Sequence, residues 1–216
     1  MEGDHSAAKR LVGAIYSRAA EKLYEPIVVQ RAFPLLGGNL NDLVLEQGQD
    51  AVASAEGAPI LDMPVGTAYF TTAIARQHAG IVVGVDIAGG MVRQANRAAR
   101  EAGIRNLLTV QADAHKLPFP DACFGAVLCA NGLQVIPGLS PTVKELVRVL
   151  RPGGMVFVSF LSAPLTQFMS ATRRSGLPAL MRPREDVLEA FSEAGIHAMT
   201  MRRQRLATLL RGAKPS

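Results

Sequence analysis

No apolar run in this chain of 216 residues approaches the roughly 18 residues that a membrane-spanning helix requires, so no membrane span is expected. The first residues, MEGDHSAAKR, are polar and mixed in charge. They lack the apolar stretch of a secretory leader, which makes the cytoplasm the expected address. Cysteine is scarce. Only Cys123 and Cys129 occur, they lack C-x₂-C spacing, and Cys129 lies in the apolar run GAVLCAN. That pattern argues against a cysteine-built metal or redox site and predicts two reduced thiols, one of them in the core. The histidines (His5, His78, His115, His197) are scattered without H-x₃-H or H-E-x-x-H spacing, so no structural metal is expected.

Aromatic residues are also few, at 5% of the chain, and this bears on its basic character. The formal charge is +5, with arginines gathered at positions 173, 174, 182, 184, 202, 203, 205 and 211. A nucleic-acid surface interleaves such charges with aromatics on which bases stack. Between Ser170 and Ser216 the only aromatic is Phe191, so the cluster reads mainly as solvated surface and nucleic acid is not an expected partner. The length suits one well-buried domain with a small appendage.

From Pro59 onward, buried-strand patterns alternate with helical ones, which predicts an α/β fold with a largely parallel sheet. Strands are expected over Pro59–Met63, Ile81–Asp86, Leu107–Asp113, Phe124–Ala130 and Met155–Leu161. Helices are expected over Thr67–Ala79, Gly90–Ala102, from a Ser140 N-cap onward with RPGG as its stop, and over Pro183–Ala194. His197–Arg203 and Leu206–Arg211 are expected to close the sheet as an edge hairpin. Residues 1–55 differ: Leu11, Ile15, Ala19 and Leu23 suggest a helix over Ser6–Leu23, followed by broken helix. This segment is predicted to be a cap over the loop end of the sheet, with 56–216 as the main domain.

Glycine is missing where it would be most diagnostic. ILDMPVGTAYFTTAIA reads as strand, turn and helix, the arrangement that often cradles a nucleotide, yet Gly66 is the sole glycine in the turn. Open α/β sheets bind ligands beyond the carboxyl ends of their strands. That rim holds Asp62, Asp86, Asp113 and Asn131, three acids and an amide at four successive strand ends. Asp86 lies 20 residues after Gly66, the separation at which an acid accepts from ribose hydroxyls. Pro64 has no N–H to donate to a phosphate. A cofactor with ribose and adenine but no phosphate fits this pattern.

On these residues the chain resembles the class I S-adenosylmethionine-dependent methyltransferases, in the broad group of the ubiquinone and menaquinone C-methyltransferases. ILDMPVGTA stands at L-D-x-G-x-G-T-G, and VVGVDIAGGMVRQA at G-x-D-x-S-x-x-M-L-x-x-A. QADAHKLPFPDACFGAV stands at A-D-A-x-x-L-P-F-x-D-x-x-F-D-x-V, and ELVRVLRPGG at E-x-x-R-V-L-x-P-G-G. The resemblance implies a Rossmann-like, mostly parallel sheet of seven strands in the order 3-2-1-4-5-7-6, with helices on both faces. It implies S-adenosylmethionine as cofactor and S-adenosylhomocysteine as product. Carried over by position, Asp62 binds the cofactor's amino group and the Gly66 turn admits its methionine half. Asp86 holds the ribose diol and Met91 packs on the adenine. Asp113 accepts from the adenine amine, the Ala114 N–H donates to the ring, and Asn131 sits near the methyl group. Pro64, Thr67 and Ile87 complete the expected cofactor contacts.

Four departures from the family pattern stand out: Pro64 and Ala68 for glycine, Ala88 for serine, and Gly125 for aspartate. The quinone enzymes carry Gly-Leu-Arg-Asn after the fourth strand, where this chain has Gly132-Leu133-Gln134-Val135, which weakens a quinone assignment. The acceptor pocket is expected from the cap and a lid over 162–182, with Tyr16, Gln134, Phe168 and Met169 as candidate contacts, for a small, largely apolar metabolite. No His-Asp or Lys-Asp pair identifies a general base, and His115 is the histidine nearest the rim. An RNA or protein methyltransferase, and a methyltransferase-fold protein with another role (a cyclase or a partner protein), stay open, as do monomer and homodimer.

Overall fold

The structure is a computed structural model that describes residues 39–162 and 182–216. The seven strands are β1 (Ile60–Asp62), β2 (Val82–Asp86), β3 (Leu107–Gln111), β4 (Phe124–Ala130), β5 (Leu150–Leu161), β6 (Met199–Gln204) and β7 (Ala207–Ala213). The helices of the described residues are α1 (Leu40–Ala55), α2 (Thr71–Gln77), α3 (Gly89–Glu101), α4 (Leu139–Val149) and α5 (Arg184–Glu193). The sheet order is 3-2-1-4-5-7-6. Strands β1 to β5 run parallel, and β7 pairs antiparallel with both β5 and β6. The order expected from the resemblance therefore holds, with the edge hairpin at the end of the chain.

The central strands are buried because both faces of the sheet are covered, which is why VVGVD is apolar except at its last residue. On one face α4 and α5 bury Val143, Leu146, Val147, Val187 and Phe191 against Leu61, Val85, Val127 and Val158. On the other, Ala51 and Ala55 of α1, Ile74 of α2, and Ala95 and Ala99 of α3 pack on Ile60, Val82, Ala126 and Phe157. Helix α1, which the sequence pattern assigned to the end of the cap, thus lies on the sheet face. Gln47 fixes it there by donating to the carbonyls of Val158 and Leu210 at 3.4 and 3.2 Å. Arg202 and Arg211 pair with Glu46 and Asp50 of the same helix, so part of the late arginine cluster is neutralised locally.

Most boundaries shift by one or two residues from the sequence expectation, and three of the differences have a clear backbone reason. Helix α2 starts at Thr71 rather than Thr67, because Gly66 and Ala68 take φ of 55° and 63°, values a right-handed helix excludes. Helix α4 starts at Leu139, so Ser140 is not its N-cap; that position belongs to Gly138. Finally, RPGG begins a strand as well as ending a helix. The β4–β5 register runs from Phe124↔Leu150 directly to Ala126↔Met155, so residues 151–154 bulge from the ladder. Gly153 and Gly154 there exchange backbone hydrogen bonds with Lys214.

Glu145 and Arg148 account for the E-x-x-R spacing. Both lie on α4 and together clamp the loop after β3. The Leu117 N–H donates to Glu145 Oε2 at 2.7 Å. Arg148 donates to the carbonyls of Phe119 and Leu117 at 2.9 and 3.1 Å and pairs with Glu145 and Asp121. The Arg148 hydrogen bonds hold the Glu145 carboxyl below its usual range. A lowered acid contributes stability that is present above its unfolded pKa, near 4.5, and lost as pH falls further. Arg148→Ala is expected to cost about 1–2 kcal/mol in urea denaturation at pH 7, with the difference from the native chain shrinking below pH 4.

Candidate functional site

Each acid of the rim is placed by the end of a strand. Asp62 closes β1 and is buried, with Oδ2 accepting from Thr71 Oγ at 2.5 Å. Its Oδ1 is buried with no hydrogen-bond partner. Burial pushes this carboxyl up to about 7, the Thr71 hydrogen bond opposes the rise, and the Asp86 charge adds to it. A raised acid lends stability that is whole below its unfolded pKa of 3.8 and lost as pH rises through about 7. The ligand-free chain is therefore expected to lose stability between pH 4 and 8. Asp62→Asn is expected to recover about 1–2 kcal/mol at pH 8 in thermal unfolding, and to change nothing near pH 4.

The turn after β1 is tied to both neighbouring strands. The Met63 N–H donates to Leu128 O at 3.0 Å and the Val65 N–H to Val85 O at 2.8 Å. The Met63–Pro64 peptide is cis. Gly66 turns left-handed and donates its N–H to Asp86 Oδ2 at 3.1 Å, while Asp86 Oδ1 accepts from the Ala88 N–H at 2.9 Å. Asp86 is thus the post around which the turn and the start of α3 are organised. Burial raises its carboxyl, against hydrogen bonds from Ala88, Gly66 and Ile87. Asp113, beyond β3, accepts from the His115 N–H at 2.9 Å.

Beyond β4, Asn131 takes a left-handed φ of 53° and donates its N–H to Ser159 O at 2.8 Å. Its side chain is buried with neither amide atom partnered, and Gln134 Oε1 is in the same state. Arg182 pins the turn that follows, donating to Leu133 O at 2.8 Å and Ile136 O at 3.2 Å.

A cleft opens among these loops. Pro64, Asp86 and Ile87 line one side, Asp113 and Ala114 a second, and Ile136 with Pro137 a third. Five of the residues proposed from sequence therefore meet in one cleft. Gly66 joins them through Asp86, and the charge coupling of Asp62 to Asp86 places it close by. Met91 is buried on α3 and does not line the cleft, and neither do Thr67, Asn131 and Gln134, all buried nearby in sequence. Tyr16, Phe168, Met169 and nearly all of the expected lid lie outside the described residues. Ile136, Pro137 and Thr71 were not anticipated: the first two are apolar loop residues without periodicity, and a helical threonine facing an acid has no sequence signature. His115 turns toward the Pro137 carbonyl, 2.7 Å from Nε2.

Comparison with known proteins bears on the family and the fold. Residues 61–158 match the model of the methyltransferase domain family. The chain is 38% identical over 112 residues to a demethylmenaquinone methyltransferase of Staphylococcus saprophyticus, covering 51% of this chain and 47% of that protein. It spans about half the length of the curated relatives it matches. Among solved structures, a methyltransferase from Aquifex aeolicus superposes with a TM-score of 0.67 at 16% identity, covering 85% of this chain and 93% of the other. The [4+2]-cyclase SpnF superposes at 0.68 with 19% identity, covering 81% and 80%. These two likenesses concern the fold.

Proposed function

We propose that this chain, which belongs to the class I S-adenosylmethionine-dependent methyltransferase family in its quinone C-methyltransferase-like group, binds S-adenosylmethionine at the rim of β1 to β4 and methylates a small, largely apolar metabolite. The observation that carries this reading is the unpartnered, buried Oδ1 of Asp62 beside a left-handed Gly66 turn held by Asp86. A buried acceptor without a partner fits a ligand that brings a donor, and an ammonium group is a suitable one. The unpartnered amide of Asn131 at the next strand end supports the same placement.

In this reading the bound cofactor supplies an electrophilic methyl group on a sulfonium. Asp62 holds the amino group, the Gly66 turn leaves room for the methionine half, and Asp86 accepts from the ribose diol through lone pairs its backbone donors do not use. Asp113 and Ala114 bind the adenine edge, with Ile87, Ile136 and Pro137 against the ring. Met91 is buried on α3. Asn131 and Gln134 offer neutral polar groups near the reacting end, which suits an uncharged acceptor. Alignment and exclusion of water can then supply much of the rate, up to about 7–11 kcal/mol where geometry is near ideal.

The expectation that the cap (1–55) and the segment 162–182 supply the acceptor contacts, with Tyr16, Phe168 and Met169 among them, concerns residues that lie mostly outside the described ones. RNA as acceptor has less support, because Arg202 and Arg211 are paired with carboxylates of α1. The test is calorimetric titration with S-adenosylmethionine, followed by transfer of labelled methyl into small-molecule extracts. Absence of cofactor binding sinks the reading, and label appearing only in RNA replaces the acceptor.

A further inference from the structure

Two walls of the cleft come from strands that are not neighbours. Asp113 and Ala114 follow β3, whereas Ile136 and Pro137 follow β4, and β1 and β2 lie between those strands in the sheet. The sheet ladder therefore does not set the distance between these walls directly. His115 joins them across the gap. A carbonyl only accepts, so the imidazole carries a proton on Nε2 and donates it to Pro137 O at 2.7 Å. On its own side the His115 N–H holds Asp113 Oδ1 at 2.9 Å.

The next residue is shaped around this imidazole. Gly138 has φ +73°, and a Cβ there would fall 2.6 Å from His115 Cε1 and 2.9 Å from Nε2. The same loop is tied a second time, further along, where Glu145 and Arg148 hold residues 117–121 to α4. The far end of the loop is thus fixed to a helix; the near end, which lines the cleft, is tied to the end of β2 by the Ala112 N–H donating to Asp86 O at 3.1 Å, and the His115 imidazole carries it across to the Pro137 wall.

We propose that His115 is a positioning residue: its bond to the Pro137 carbonyl sets the width of the slot that receives the cofactor's adenine, and thereby limits which ring substituents the site admits. This inference rests on the reading of the cleft as the adenine site. It also accounts for His115 without a role in proton transfer, since Nε2 is committed to a carbonyl. Shortening the side chain leaves Pro137 O without its donor and lets the two loops part.

The test measures binding of S-adenosylhomocysteine, and of its analogue enlarged at the adenine N6, to the full chain by calorimetry. The native chain is expected to prefer the unmodified ligand. His115→Ala should reduce that preference by about tenfold, the scale of one hydrogen bond. His115→Gln, whose amide can donate to Pro137 O, should restore it. Gly138→Ala should shift the preference when His115 is present and have little further effect in the His115→Ala background. A merely structural role predicts a weaker fold with an unchanged preference, and that result overturns the inference alone. Failure of the native chain to bind either S-adenosylmethionine or S-adenosylhomocysteine overturns the cofactor reading and this inference with it.

Discussion

Asp86→Ala is expected to weaken S-adenosylmethionine binding by about 100-fold or more, because one carboxylate serves two purposes. It would accept from the ribose, and it already holds the Gly66 and Ala88 N–H groups at 3.1 and 2.9 Å. Hydrogen bonds to a charged group contribute about 1.5–3 kcal/mol each, and two lost from the ligand alone account for the factor of 100. The backbone donors add to this. Without Asp86 the two N–H groups at the turn and at the start of α3 lose their acceptor, so the turn is no longer held in its bound shape. Asp86→Asn separates the two effects. Its Oδ1 can still accept from one N–H, while its NH₂ meets the other as a second donor, so affinity should fall less than in the alanine variant. Calorimetry gives the affinities, and thermal unfolding of the ligand-free variants shows how much of the loss is structural. An unchanged dissociation constant for Asp86→Ala would mean that the ribose lies elsewhere.

Much of this arrangement is legible in the sequence, for identifiable reasons. A doubly covered strand must be apolar throughout, so VVGVD could be recognised without a partner, and all five of its residues are buried. Val143, Leu146 and Val147 face the sheet because 3.6-residue spacing allows nothing else, and all three are buried, whereas Leu150, the next position of that stripe, is buried as the first residue of β5. The rim acids were legible because strand ends in an open sheet converge on one edge. What escaped was set by backbone shape or by distant pairing. Ala68 adopts the left-handed conformation that the family pattern reserves for glycine, and an alanine does not announce it. RPGG reads as a helix stop, yet its register is settled by Lys214 at the other end of the chain. Ile136 and Pro137 wall the cleft from a loop, where no periodicity marks an apolar residue as functional.

Gly132→Ala is expected to destabilise the chain by about 3 kcal/mol or more, at the upper end of overpacking penalties, and Pro64→Gly in the same chain should relieve most of that cost. A Cβ on Gly132 would lie 2.1 Å from Pro64 Cδ and 2.8 Å from Cγ, with Cys129 Sγ at 3.2 Å. A proline ring has no rotamer by which to withdraw, so the turn or the end of β4 must move. Moving the turn strains the Met63–Leu128 and Val65–Val85 hydrogen bonds, and moving β4 displaces Asn131. With glycine at 64 the nearest remaining contact is Cys129 Sγ at 3.2 Å, which a small shift of a soft sulfur can absorb. The coupling between the two substitutions should therefore reach about 2 kcal/mol, within the range of contacting pairs. Thermal or urea unfolding of the four chains measures it, and strictly additive costs would sink the argument. The proline that first looks like a lost cradle residue is then better understood as a packing surface. It fills the space between the first and fourth strand ends, and Gly132 is the counterpart that makes room for it.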